Sequence, residues 1–111
     1  LFTHNRDDHS KNFSFILDEK NSWKLSPAYD LTFSYGVGTE HSTTYLNEGK
    51  SPTINHLEKL ALKHGIKEYK QIIDEVRNSV LYFSYIAKDV GLSKEEIISL
   101  SKIFNNQIGE K

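Results

Sequence analysis

Cysteine and methionine are both missing from these 111 residues, tryptophan occurs once and proline twice. Without cysteine there is no disulfide and no thiolate metal site, which fits a cytoplasmic protein. No apolar run approaches the roughly 20 residues that span a bilayer, and no signal peptide is visible, so no membrane partner is expected. Neither sign of charge dominates, with 14 basic residues against 15 acidic ones. That balance gives no broad basic field for nucleic acid or anionic lipid. The chain opens on Leu1-Phe2 rather than on methionine, and this hydrophobic start leads us to expect a fragment of a longer protein. With 37% hydrophobic and 26% charged residues, the composition suits one domain, or part of one, with a modest core.

The apolar period changes once along the chain. Phe13, Phe15 and Leu17 alternate as in a strand, Asp18–Asn21 reads as a turn, and Trp23 and Leu25 form a short returning strand that Pro27 ends. Residues 32–52 are rich in Gly, Ser and Thr and read as an irregular loop, with a short strand expected near Thr43–Leu46. From Thr53 the period is helical. Thr53 caps a helix bearing Ile54, Leu57, Leu60 and Ala61, and Gly65 closes it. One longer helix is expected from about Lys67 to Asp89, stopped by Gly91. Ser93 and Glu96 form a capping box for a third helix with Ile97, Leu100, Phe104 and Ile108 inward. The fold expected is mainly α with a small β-hairpin: catalytic loop and hairpin over 1–31, loop over 32–52, and over 53–108 a helical bundle packed against the hairpin.

The chemistry concentrates near the start, in Asn5-Arg6-Asp7-Asp8-His9-Ser10-Lys11-Asn12 and in Ser26-Pro27-Ala28-Tyr29-Asp30-Leu31. A hairpin that leaves Asn12 and returns to Asp30 brings its two ends together, so Asp30 is expected to face Asn12 and Asp7 across one small pocket. A carboxylate and an amide oxygen are the hard donors magnesium prefers beside nucleotide phosphates. Asp7 is placed to accept the proton of an attacking hydroxyl, or to orient it. Positioning and charge stabilisation of this kind carry most of phosphoryl transfer, and protein kinases use the same Asp-then-Asn spacing. The same stretch leaves a second chemistry open: His4, Asp7, Asp8 and His9 could together bind a metal in a phosphohydrolase. His41 reads as a surface or loop-ordering residue, and His56 as part of a solvated helix face.

These two segments resemble the C-terminal domain of the HipA-like serine/threonine kinases, the toxins of bacterial type II toxin–antitoxin modules linked to persistence. The resemblance is sharpest over about 25 residues, and it extends through the helical tail to nearly the whole chain. It implies the C-terminal part of a kinase-like C-lobe, with ATP as phosphate donor and Mg2+ as cofactor. Carried over by motif, Asp7 is the catalytic base or hydroxyl-orienting residue, and Asn12 and Asp30 are the metal and nucleotide ligands. His9 stands where conventional protein kinases place a lysine. The resemblance leaves it to contact the γ-phosphate or to support the loop, and leaves Lys11 to do either. The glycine-rich loop and anchoring lysine of such kinases have no counterpart here. Gly36-Val37-Gly38 follows Asp30 and opens no helix, so the isolated chain is expected to be inactive. The implied partners are a protein substrate, such as a translation factor or aminoacyl-tRNA synthetase, and a DNA-binding antitoxin through which DNA is met only indirectly. The alternative from another class is a non-catalytic antitoxin-binding module, or a degenerate toxin remnant.

Overall fold

Asp18 closes the hairpin turn almost alone. Its Oδ1 accepts the N–H groups of Lys20 and Ser22, both at 2.9 Å, and its Oδ2 lies 2.7 Å from Lys24 Nζ. Asn21 takes the left-handed conformation the turn requires (φ 57°). The strands that follow are β1 (Phe15–Leu17) and β2 (Trp23–Leu25), antiparallel and in the register Phe15↔Leu25, Ile16↔Lys24, Leu17↔Trp23. The computed structural model describes residues 1–109. Glu110 and Lys111, the last two residues of the expected 1–111 unit, lie outside the described residues.

Four helices follow: α1 (Ile54–Lys63), α2 (Tyr69–Leu81), α3 (Phe83–Asp89) and α4 (Lys94–Gly109). The caps of α1 and α4 act as the sequence implies. Gly65 (φ 69°) and Gly91 (φ 88°) supply left-handed residues after α1 and α3, and behind Gly91 the Leu92 N–H reaches the Ala87 carbonyl at 2.9 Å. At α4, Glu96 Oε2 accepts the Ser93 N–H at 2.9 Å, and Ser93 Oγ accepts the Glu96 N–H at 3.3 Å. At α1, His56 is not simply solvated as expected. Its Nδ1 accepts the Thr53 N–H at 3.1 Å, so the ring is part of the cap.

Three expectations are corrected. First, the single helix over 67–89 is two helices. Ser79 Oγ bonds back to the Glu75 carbonyl at 2.8 Å, a contact that bends helices. The N–H groups of Tyr82 and Tyr85 then close three-residue steps to the carbonyls of Ser79 and Tyr82. The break lets Phe83 reach Phe104, with ring centroids 4.9 Å apart. Second, no strand forms over 43–46. Tyr45 and Glu48 exchange both backbone hydrogen bonds, at 2.8 and 3.2 Å, around Leu46 and Asn47, which both have positive φ. That is a tight turn of the primed kind. Third, the helices pack on one another but not on the hairpin. Every residue of β1 and β2 is exposed, Trp23 at 69% and Phe15 at 66%. The radius of gyration of 15.5 Å exceeds the about 13 Å of a close-packed domain of this length.

Among the described residues the buried apolar ones are Phe2, Ala61, Ala87, Phe104 and Ile108, and a chain of rings reaches from the bundle to the opening loop. Phe104 of α4 is 5% exposed and meets Phe83 on one side and Phe33 on the other, the latter at 6.2 Å. Phe33 stacks on His4 at 5.7 Å and meets Tyr35 edge-on at 4.8 Å. Phe33 and Phe104 thus link the opening loop to α4, a link the hairpin does not make.

Candidate functional site

Asn5 organises the opening loop. Its side chain is 8% exposed as part of a buried residue, and both ends of its amide are used. Oδ1 accepts the Asp7 N–H at 3.1 Å, the local turn that an Asn two residues before its partner favours. Nδ2 donates to the Asp30 carbonyl at 3.0 Å. The backbone around Asn5 also pairs with Ser34 in a parallel bridge, through Arg6 N–H to Ser34 O at 3.3 Å and Ser34 N–H to His4 O at 3.2 Å.

From this anchor the side chains diverge. Asp7 turns outward, its side chain 60% exposed, with His9 Nε2 4.0 Å from Oδ1. A single 3-10 turn over Ser10–Asn12 returns the chain, and Asn12 Nδ2 donates to the Asp7 carbonyl at 2.9 Å. That bond leaves Asn12 Oδ1 as the atom free to meet a ligand. Asp30 holds a left-handed backbone (φ 54°), a conformation disfavoured for residues other than glycine and maintained here by its surroundings. Tyr29 OH donates to the Lys11 carbonyl at 2.8 Å, a second tie between the two motifs. Asn12 and Asp30 line one cleft of about 180 Å3 with Asn5, Asp8, Phe13 and Leu25. Asp7, expected to share it, is not among its lining residues and stands beside it, joined through the Asn12 bond. Lys11 is exposed and contributes its carbonyl rather than its ammonium.

Asp8 points the other way, into the protein. Its Oδ2 lies 2.9 Å from His41 Nδ1, its Oδ1 accepts the Thr43 N–H at 3.1 Å, and Thr43 Oγ1 donates to its carbonyl. Burial pushes the Asp8 carboxyl up. The Thr43 N–H and the bond and charge of His41 outweigh this and hold it below the ordinary aspartate value. His41 is loop-ordering as expected, but buried rather than on the surface. Tyr45 lies edge-on to it at 5.3 Å, and burial together with Asp8 pushes the Tyr45 phenol up to about 12.

The metal-hydrolase cluster does not assemble. His4 is packed between Phe33 and Tyr35, Asp8 faces His41, and only Asp7 and His9 approach each other. Among the described residues no three His, Asp or Glu side chains are grouped to hold a metal. Nor, among them, is any helix long and apolar enough to cross a membrane.

What the sequence reading missed is the role of Asn5 and the pairing of Asp8 with His41. Only the Asn-x-Asp spacing of Asn5 and Asp7 carried a local signal. The chain matches the family model of the HipA-like C-terminal domain over residues 1–82, which takes in both motifs and ends at the break between α2 and α3. No curated protein and no solved structure matches it. Residues 1–82 being most of its length, the chain belongs to the family of HipA-like C-terminal domains.

Proposed function

We propose that this chain forms the hydroxyl-orienting and metal-holding side of a serine/threonine kinase site that transfers the γ-phosphate of ATP to a protein hydroxyl. The observation that carries this reading is the Asn5 amide, which bonds the Asp7 N–H with one end and the Asp30 carbonyl with the other. One buried side chain thereby ties the backbones of the two aspartates together, which supports catalysis by positioning.

In the reading, the Asp7 carboxylate accepts the proton of the substrate hydroxyl. The hydroxyl oxygen forms a bond to the γ-phosphorus as the bond to the β–γ bridging oxygen breaks, and ADP leaves. His9, beside Asp7, supports its orientation or meets the transferred phosphate, and Lys11 stands nearby on the exposed face. Asn12 Oδ1 and the Asp30 carboxylate are oxygen donors of the type magnesium takes, and they share one cleft. When bound there, Mg2+ would offset the phosphate charge. The cleft of about 180 Å3 is smaller than the roughly 300–1,000 Å3 of ordinary ligand pockets. The adenosine moiety therefore needs surface beyond this chain, and the chain alone is inactive in this reading. The protein substrate and a DNA-binding antitoxin are partners proposed from family membership, in the cytoplasm.

A second reading, docking without chemistry, is favoured by an apolar groove of about 590 Å3 lined by Phe2, Leu57, Leu60, Ile66 and Ile73. The two separate on ligand binding. ATP with Mg2+ at about 100 times its Kd should stabilise the full-length protein by roughly 2.7 kcal/mol, seen as a higher melting temperature. Asp30→Asn and Asn12→Ala should lose that shift. A full-length protein whose melting temperature ignores ATP and Mg2+ would contradict the kinase reading.

A further inference from the structure

Asp7 and Asp8 are neighbours in the opening loop, yet their carboxylates have different surroundings: that of Asp7 is exposed beside His9, and that of Asp8 faces His41. Asp7 goes to solvent, while Asp8, one of the residues around the cleft, turns its carboxylate to His41 and Thr43, which have no part in the chemistry above. The Asp8 side chain is 16% exposed and that of His41 2%. Such a pair is costly to enclose unless every polar atom is engaged. The facing atoms are engaged: His41 Nδ1 and the Thr43 N–H on the Asp8 carboxylate, and Thr43 Oγ1 on the Asp8 carbonyl. The ties continue along the same edge. Ser42 donates both its N–H and its Oγ to the Arg6 carbonyl at 3.2 Å, and the His41 N–H donates to the Gly49 carbonyl at 2.7 Å. Residues 40–49, a loop with no strand or helix of its own, are therefore fixed on the backbone that flanks Asp7.

We propose that Asp8 and His41 form a buried brace that positions Asp7, making the 40–49 loop a positioning element of the active site. The inference rests on the phosphoryl-transfer reading for its catalytic consequence. Its structural content is separate: Asn5 and Asn12 bond the Asp7 backbone directly, and the brace holds the residue that follows it. Without the brace, the Asp7 carboxylate keeps its neighbours but loses its fixed direction. A displacement of about 1 Å at a reacting group costs on the order of 100-fold in rate.

The test uses the full-length protein with Asp8→Ala, His41→Ala and His41→Gln, whose amide can still donate to Asp8. The two alanine variants are expected to lower kcat by about 100-fold while KM for ATP changes little. Amide exchange should quicken over residues 5–12 and 40–49 while α1–α4 keep wild-type protection. His41→Gln should recover most of the loss. Unchanged kcat in the alanine variants, equal loss of protection in the helices, or a His41→Gln as slow as His41→Ala would overturn the brace. If the wild-type protein transfers no phosphate, the functional reading fails by itself. Exchange then decides the brace alone: quickening confined to the two loops supports it, and unchanged exchange over 5–12 overturns it.

Discussion

His4 is a histidine whose neutral form the fold favours. It is buried against Phe33 and Tyr35, and its Nδ1 has no hydrogen-bond partner among the described residues. Burial, then the charges of Arg6 and His41, lower its pKa from 6.5. The unfolded chain therefore binds more protons than the folded one below that value, and stability falls as the pH drops through it. Asp8 acts in a lower window. Its depressed folded pKa gives stability that is present above 3.8 and lost as the pH falls further. Urea midpoints measured from about pH 7 to about pH 5 should decline for the wild type and flatten for His4→Asn, a residue that tolerates the positive φ at this position. Gly36 makes a second prediction. Its φ is +70°, and a Cβ there would lie 2.7 Å from Arg6 Cβ. Gly36→Ala should cost at least about 1–2 kcal/mol from the backbone conformation alone, more with the clash, read as a lower denaturation midpoint. The motif residues Asp7, Asn12 and Asp30 could be picked out in the sequence because their types and spacing are the chemistry. The tie from Asn5 to Asp30 and the pairing of Asp8 with His41 were not, because those partners lie 25 and 33 residues away. Nothing local marks a pairing across that distance.

The helices divide by what defines them. α1 and α4 were legible because each carries both an apolar stripe and a cap, and caps are local chemistry. The break at Tyr82 was not, because the stripe from Ile72 to Val90 runs through it without interruption. What splits the helix is the back-bond of Ser79 and the pull of Phe83 toward Phe104, and only the second is tertiary. The hairpin shows a different limit. Alternation gives strands, but not what covers them, and both strands remain open to solvent. Phe104 is the side chain on which these elements converge. Truncating it removes the contact of α4 with Phe83 and the ring that supports Phe33 under His4. Phe104→Ala should cost about 3–5 kcal/mol. Because the chain of rings ends at the opening loop, amide exchange should quicken at residues 4–8 as well as in α3 and α4. Loss confined to the helices would show that the rings do not carry support to the site.

The shape follows from these parts. A helical bundle and a protruding hairpin are joined at a loop where the family's two motifs meet, and Asn5, Asn12 and Tyr29 hydrogen-bond those motifs together. Apolar surface on Trp23, Phe15 and Leu25 and along the groove beside α1 and α2 is open to solvent. The cleft at Asn12 and Asp30 is likewise small for a nucleotide. Both features fit half of a two-sided site, with the hydroxyl and metal on this side. The central claim is that Asp7 handles the proton of the attacking hydroxyl. Its most direct test is transfer of labelled γ-phosphate from ATP by the full-length protein, with and without Asp7→Asn. Removing a general base costs about 100- to 10,000-fold, so the substitution should reduce transfer to near background while ATP and Mg2+ still raise the melting temperature. Transfer at the wild-type rate by Asp7→Asn would contradict the account.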